Sequence, residues 1–152
     1  MNHTDKLDHM FVLQGAYQRL YEQYLKRGID KTLDENDPEN NFDQEWKYQH
    51  YFDAGSDAVR LCVGALLHNL REPPRAILDL PSGSGRVTRH FRSFFPDAKI
   101  VACDLYSYHY EFCARTFGVE GKKSTEHFDD LDFVEKFDLI FSGSLLTHLP
   151  ES

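Results

Sequence analysis

The stretch AILDLPSGSGRVTRHF, residues 76–91, decides the fold. A short apolar run ends in Asp79, a turn rich in glycine and serine follows, and a helical pattern then begins. Gly83 and Gly85 lack the Cβ atoms that would hold a ligand away from the backbone. Because the turn leads into a helix, we expect free N–H groups that suit a carboxylate or a phosphate. Asp79 instead suits an ammonium group. The turn and Asp79 together therefore predict a site for an amino-acid moiety, which carries both a carboxylate and an ammonium group.

Short apolar strands and amphipathic helices alternate from this stretch onward. The predicted strands cover residues 76–80, 99–103, 122–125 and 137–141, and the predicted helices between them cover residues 86–95 and 108–117. This alternation predicts an α/β fold with a parallel sheet that is covered on both faces. Ligands of such sheets bind at the carboxyl ends of the strands, which is where the turn after Asp79 lies.

The N-terminal part of the chain precedes the first strand. Residues 4–27 and 56–70 have helical apolar spacing, and the acidic stretch DKTLDENDPENNFDQE between them predicts a solvent-exposed loop. We therefore divide the chain into a lid of one helix and the acidic loop, residues 1–52, and a ligand-binding domain, residues 53–152. Near this boundary, Tyr48, His50 and Tyr51 either cover the ligand or form an aromatic contact in the core.

Composition narrows the class of function. The 152 residues carry 25 acidic and 17 basic side chains, and a net charge of −8 argues against general nucleic-acid binding because such a surface repels phosphates. No apolar run is long enough to span a membrane, and the N-terminus has no apolar signal-peptide core. The three cysteines lack metal-site spacing, which favours reduced thiols in a cytoplasmic protein.

A second carboxylate, Asp104, ends the second predicted strand. It is able to accept hydrogen bonds from both hydroxyls of a ribose, and Leu105 beside it offers an apolar wall for a base. The loop after the third strand, with His127 and Phe128, would lie near the same base. A nicotinamide-dependent oxidoreductase is disfavoured because Thr88 stands where a dinucleotide site needs its third glycine.

These residues resemble three motifs of the class I S-adenosylmethionine-dependent methyltransferases. ILDLPSGSGRVT is similar to the first motif, IVACDL to the acidic end of the second strand, and FDLIFSGSLLTHLP to the fourth-strand motif. The resemblance covers residues 75–150, about half of the chain. It implies a partial Rossmann-like doubly wound parallel sheet with strand order 3-2-1-4 and N-terminal helices. It also implies S-adenosylmethionine as the cofactor and a small-molecule, lipid or sugar acceptor.

The resemblance further implies which residues bind the cofactor. Asp79 would bind the methionine ammonium, Asp104 the ribose hydroxyls, and Leu105 the adenine. The other implied cofactor residues lie in the turn and in two loops: Ser82, Gly83 and Gly85 near the methionine carboxylate and ribose, His127 and Phe128 near adenine, and Ser142 near the methionine portion. Pro81 also belongs to the turn, but it replaces the usual first glycine of the motif and has no N–H.

Catalytic groups are less clearly marked than binding groups. A base is needed only if the acceptor must lose a proton, and His148 is the nearest candidate in sequence, with a helix-start or packing role as the alternative. Cys103 fits the core better than it fits a nucleophile. No metal is expected, because the acidic residues around His127 suit a solvated loop: Glu126, Asp129, Asp130, Asp132.

The chain ends soon after the fourth predicted strand, whereas the fold of that family continues with further strands. The fourth strand is internal in that fold, so residues 137–141 would form an exposed edge that favours pairing with another chain. We therefore expect either a homodimer through residues 137–141 or a fragment of a longer protein. The alternative to a methyltransferase is a truncated cofactor-binding or interaction module without turnover.

Overall fold

A computed structural model describes residues 3–37 and 42–143. Its sheet contains four parallel strands, β1 (Ala76–Asp79), β2 (Lys99–Asp104), β3 (Glu120–Lys123) and β4 (Leu139–Phe141). Their order across the sheet is β3-β2-β1-β4. The predicted α/β class and the strand order 3-2-1-4 of a partial Rossmann-like sheet are therefore confirmed.

The described residues form four α-helices, α1 (His3–Arg27), α2 (Glu45–His68), α3 (Thr88–Phe94) and α4 (Ser107–Phe117). The prediction that α2 begins at Ser56 was wrong, because the aromatic run at residues 46–52 is already helical. The boundary predicted between residues 52 and 53 lies within α2, and the division into two domains stays a prediction. None of the helices in the described ranges has the length and apolar character needed to cross a bilayer.

The main core lies between the helices and one face of the sheet. Val87, Phe91, Phe94 and Phe95 are all buried there, as the helical pattern after the turn predicted. On the other face, a smaller cluster from β1 and β2 packs under the loop after β3, with Leu78, Val101 and Cys103 against Leu131, Phe133 and Phe137. Burial on both faces explains the nearly continuous apolar sequence of β1 and β2.

The described part of the stretch after α1 is mostly exposed, as its acidic sequence predicted, but it is also docked on α3. Arg89 of α3 is buried, and its guanidinium donates hydrogen bonds of 3.0 Å to the carbonyl oxygens of Asp30 and Thr32. Asp34 and Asp37 are also buried. Because main-chain carbonyls satisfy a buried guanidinium whatever their side chains are, the side-chain composition of this segment did not reveal its docking.

The other edge of the sheet is formed by β4. Within the described residues β4 pairs only with β1. Leu139 and Phe141 pack toward the helices, whereas Ile140 is 61% exposed on the opposite face. The edge predicted at residues 137–141 is therefore present in the described part of the chain, while pairing through it stays a prediction.

Candidate functional site

The carboxyl ends of the strands bring the two predicted carboxylates to one edge of the sheet. Asp79 ends β1 and is in register with Ala102 of β2 and with Phe141 of β4. Asp104 ends the neighbouring β2. Ser142 follows Phe141 directly and is exposed, so it lies at the same edge as Asp79.

Asp79 is a buried carboxyl group with little to stabilise its charge. Its side chain is 1% exposed, and Thr88 Oγ1 donates a 2.6 Å hydrogen bond to Asp79 Oδ2. Burial raises the pKa of Asp79 to about 7, although the Thr88 hydrogen bond and the charge of Arg86 act to lower it. The negative charge of Asp104 raises the pKa of Asp79 further. An ammonium group at this position would supply the missing positive charge.

The turn after β1 uses its N–H groups inside the protein. Ser82 N donates to the carbonyl oxygen of Cys103 at 3.0 Å, Gly83 N donates to Asp104 Oδ2 at 2.9 Å, and Gly85 N donates to the carbonyl oxygen of Ser82 at 3.1 Å. The expectation that these groups are free at a helix N-terminus was therefore wrong. Three N–H groups of the turn are therefore engaged with the turn itself and with β2.

The two glycines of the turn have different surroundings. At Gly83, with φ of 50°, a Cβ atom would meet nothing within 4 Å, so the backbone is open on that side. At Gly85, with φ of 76°, a Cβ atom would lie 2.4 Å from the ring of Phe117 and 3.0 Å from Cys113 Sγ. Gly85 therefore allows the turn to pack against α4, whereas Gly83 presents an open surface. Pro81, which follows a cis peptide bond, is partly buried beside them.

Asp104 is held by several donors and keeps acceptor capacity. Its Oδ2 accepts from Gly83 N, its Oδ1 accepts from Tyr106 N at 3.1 Å, and His109 Nδ1 lies 3.1 Å from Oδ1. Burial would raise the pKa of Asp104, but His109 and the two N–H groups lower it below its ordinary value. A carboxylate has about four acceptor positions, so Oδ2 retains one for a ligand hydroxyl.

His109 connects this carboxylate to the segment after α1. His109 Nε2 lies 3.9 Å from Asp37 Oδ2, on the side opposite Asp104. Burial would lower the pKa of His109, but Asp104 and Asp37 raise it above its ordinary value. The imidazole, when protonated, therefore lies between two carboxylates and helps to keep Asp104 ionised.

A groove beside Asp104 matches the place predicted for a base. It has a volume of about 490 Å³ and is lined by Leu105, Tyr106 and residues 123–126. Leu105 is exposed on its wall, and the packing of a base on it stays a prediction. His127 is exposed directly after the lining residues, and Phe128 begins the short 3₁₀ helix Phe128–Asp130. The contacts predicted between a base and His127 or Phe128 stay predictions.

The aromatic residues before the turn pack around Arg89. The rings of Tyr51 and Phe52 lie 5.4 Å and 5.2 Å from the guanidinium carbon, and burial raises the pKa of Tyr51 to about 12. The sequence left open whether these aromatic residues cover a ligand or pack in the core. Tyr51 makes the core contact, whereas His50 is exposed. Cys103 is buried as predicted, and burial raises the pKa of its thiol to about 11.

Three residues of the site were missed in the sequence. Thr88 was noted only as a missing glycine, although its hydroxyl holds Asp79. Arg86 and His109 were not singled out, because a basic side chain in a helical pattern usually indicates a solvated face. Their positions in the sequence could have identified them. Arg86 follows the turn directly, and His109 is near the start of the helix after Asp104. His148 and the segment SLLTHLP after Gly143 lie outside the described residues.

Comparison with known proteins adds a match to the second half of the chain. A family model described as a methyltransferase domain matches residues 77–152, which include the turn and both carboxylates. These residues make up half of the chain. A search of curated proteins found no match.

Proposed function

Because the chain belongs to the class I S-adenosylmethionine-dependent methyltransferase domain family, we propose that it binds S-adenosylmethionine at the carboxyl ends of β1 and β2 and transfers its methyl group to a small-molecule, lipid or sugar acceptor. One observation carries the proposal. Two buried carboxylates, Asp79 and Asp104, end neighbouring strands beside an open turn and a groove for a base. Subsites for the amino-acid, ribose and base parts of the cofactor would thereby follow one another along a single edge.

The residues at this edge fit the chemistry of the cofactor. Asp79, whose burial leaves it in need of a cation, would hold the methionine ammonium. Asp104 would accept from a ribose hydroxyl through the remaining acceptor position of Oδ2, and Leu105 would pack on adenine. Because three N–H groups of the turn are engaged, a cation would help to bind the methionine carboxylate. Arg86 is exposed beside the turn and suits that role.

Held by Asp79 and Asp104, the cofactor would supply an electrophilic methyl group on a sulfonium for transfer to a lone pair of the acceptor. The contribution of this chain is to hold the reacting centre in one orientation, which by itself lowers the barrier substantially. Asp79 and Asp104 would achieve this by holding the methionine and ribose parts of one ligand. If the acceptor must lose a proton, solvent or His148 would accept it.

The remaining features constrain the acceptor and the cell compartment. A net charge of −8 disfavours acceptors with phosphate backbones, so the proposal excludes nucleic acid. The three cysteines are free thiols, which supports the proposed cytoplasmic location. A small-molecule, lipid or sugar acceptor remains as the proposed class.

Turnover assays distinguish the proposed enzyme from a binding module without turnover. The chain is incubated with S-adenosylmethionine and panels of small-molecule, lipid and sugar acceptors, and release of S-adenosylhomocysteine is measured. We expect S-adenosylhomocysteine to be released only when acceptors of one panel are present. We also expect the variant Asp79→Asn to release none. Cofactor binding without transfer to any acceptor would instead support the module. Binding of NAD in place of S-adenosylmethionine would contradict both and favour the oxidoreductase.

A further inference from the structure

One face of α1 is exposed and carries a regular row of large side chains. Six residues recur at alternating intervals of four and three, and we call them the α1 stripe: Leu7, Phe11, Gln14, Gln18, Tyr21, Leu25. This alternation places all six on one face of a helix and is the spacing by which two helices pack side by side. The stripe is therefore patterned as a helix-packing surface.

The α1 stripe is distinct from the face of α1 that enters the core. Leu13 and Tyr17 are buried, whereas the four apolar members of the stripe are between 42% and 64% exposed. A surface helix normally has one apolar face and one polar face. Here the second face is also apolar at both ends, which is typical of a surface that meets another protein.

A groove adjoins the middle of the stripe. It has a volume of about 760 Å³ and lies between α1 and α2. Gln14, Gln18 and Tyr21 line one side of it, and Val63 and Leu67 of α2 line the other. The surface beside the stripe is therefore concave, so a helix that packs on the stripe also gains contacts with α2.

The order of residues in the stripe is the same in both directions. About the level of Ala16, Leu7 matches Leu25, Phe11 matches Tyr21, and Gln14 matches Gln18, because each pair of positions is equally far from Ala16. In a two-fold interface residue i of one copy meets residue j of the other, and j meets i. An antiparallel pair of α1 helices would therefore place leucine on leucine, aromatic on aromatic and amide on amide at every level.

The charges of α1 favour the same arrangement. The first two turns carry Asp5 and Asp8 against a single lysine, Lys6, and the last turn carries Lys26 and Arg27. Antiparallel packing brings the acidic end of one helix to the basic end of the other and also aligns their dipoles favourably. Parallel packing would bring the two basic ends together.

We propose that a second copy of this chain docks on the α1 stripe, with α1 packed against antiparallel α1 about a two-fold axis at the level of Ala16. The β4 edge is the other surface considered for self-association. It exposes one large side chain on the strand itself, Ile140, whereas the stripe exposes four. The stripe therefore offers more apolar area for a second copy, and its sequence also has the symmetry that a dimer needs.

The test is the mass of the whole chain in solution, measured by light scattering and sedimentation over a wide concentration range. We expect the wild type to reach twice 17.7 kDa. The double variant Phe11→Glu, Tyr21→Glu should stay at 17.7 kDa, because each glutamate then faces a glutamate of the partner. Val12→Glu is the matched control, since Val12 is exposed on α1 outside the stripe, and it should still dimerise.

A charge-swapped variant tests the antiparallel register independently of loss of apolar area. In Phe11→Lys, Tyr21→Glu, antiparallel packing places each lysine opposite a glutamate of the partner, whereas parallel packing places like charges together. We expect this variant to dimerise when the double-glutamate variant does not. Far-UV circular dichroism of each variant verifies that α1 remains helical.

Three results would overturn the proposal. The first is a wild type that stays at 17.7 kDa across the range. The second is a double-glutamate variant that dimerises as well as the wild type. The third is a dimer that Ile140→Glu abolishes and the stripe variants leave intact, because that result assigns the interface to β4.

Discussion

At the scale of single residues, the site depends on the environment of Asp79. The folded protein raises the pKa of this carboxyl from 3.8 to about 7, so the folded state holds the proton more tightly than the unfolded chain does. The ionised carboxyl therefore lowers the free energy of unfolding. This penalty is absent below about pH 4, grows as the pH rises from about 4 to about 7, and is complete above about pH 7. The protein thus keeps a costly group where the proposed ligand has a positive charge.

Replacing Asp79 should reveal that cost. At about pH 8 we expect Asp79→Asn to stabilise the ligand-free protein by one to a few kcal/mol, on the order of 4 °C or more in Tm, because the amide carries no buried charge. At about pH 4 the two proteins should differ little. Thermal unfolding at both pH values measures the difference, with the exposed Asp97→Asn as control. A variant that is less stable than wild type at the higher pH would contradict the buried charge.

Thr88 should tune the same carboxyl group. Thr88→Val removes the 2.6 Å hydrogen bond to Asp79 Oδ2, so the pKa of Asp79 should rise further. We expect the affinity for S-adenosylmethionine at neutral pH to fall roughly tenfold, and the pH at which binding is half-maximal to move upward. Thr88→Ser keeps the hydroxyl and should behave like wild type. Equal pH profiles for the valine and serine variants would show that Thr88 does not act through Asp79.

At the scale of elements, Arg89 joins α3, the turn and the segment after α1. Its guanidinium also donates to the carbonyl oxygens of Ser84 and Gly85, at 3.0 Å and 2.9 Å. The ring of Phe117 from α4 lies 4.8 Å from the guanidinium carbon. One buried side chain therefore holds the back of the turn and the segment before α2 at the same time.

Loss of this guanidinium should loosen the segment after α1. We expect Arg89→Met to lower the free energy of unfolding by about 2–4 kcal/mol, since several main-chain carbonyls lose a charged donor. Proteolysis within residues 28–37 should become faster than in wild type. Urea unfolding and limited proteolysis measure the two effects, with Arg60→Met, an exposed arginine, as the matched control. Unchanged proteolysis in Arg89→Met would show that the docking depends on other contacts.

Much of the element order could be predicted from the sequence. Apolar runs bounded by Asp, Gly and Pro marked β1 and β2, and α4 ends where its apolar spacing predicted, at the left-handed Gly118. The engaged N–H groups of the turn could not be predicted, because their acceptors are the main-chain oxygen of Cys103 and a side chain on β2. Such contacts follow from strand pairing and carry no local pattern in the sequence.

At the scale of the whole molecule, two exposed surfaces are candidates for self-association, the β4 edge and the α1 stripe. The β4 edge was predicted from the strand order, and in the described residues it is unpaired on one side. The α1 stripe was not predicted, because the apolar spacing of the helix placed Leu7 and Tyr21 on one face with Tyr17, whereas Tyr17 is buried and the other two are exposed. The helix carries a second apolar face, and only the packed structure shows which of the two is exposed.

The central claim is that this edge of the sheet binds S-adenosylmethionine through Asp79 and Asp104, and isothermal titration calorimetry with the whole chain tests it most directly. At about pH 8, where Asp79 is mostly ionised, we predict one molecule bound per chain for wild type and for Asp97→Asn. Asp79→Asn and Asp104→Asn should each weaken binding at least roughly tenfold, because a charged hydrogen-bonded contact is lost. No heat of binding to the wild type, or equal affinity in all four proteins, would contradict the account.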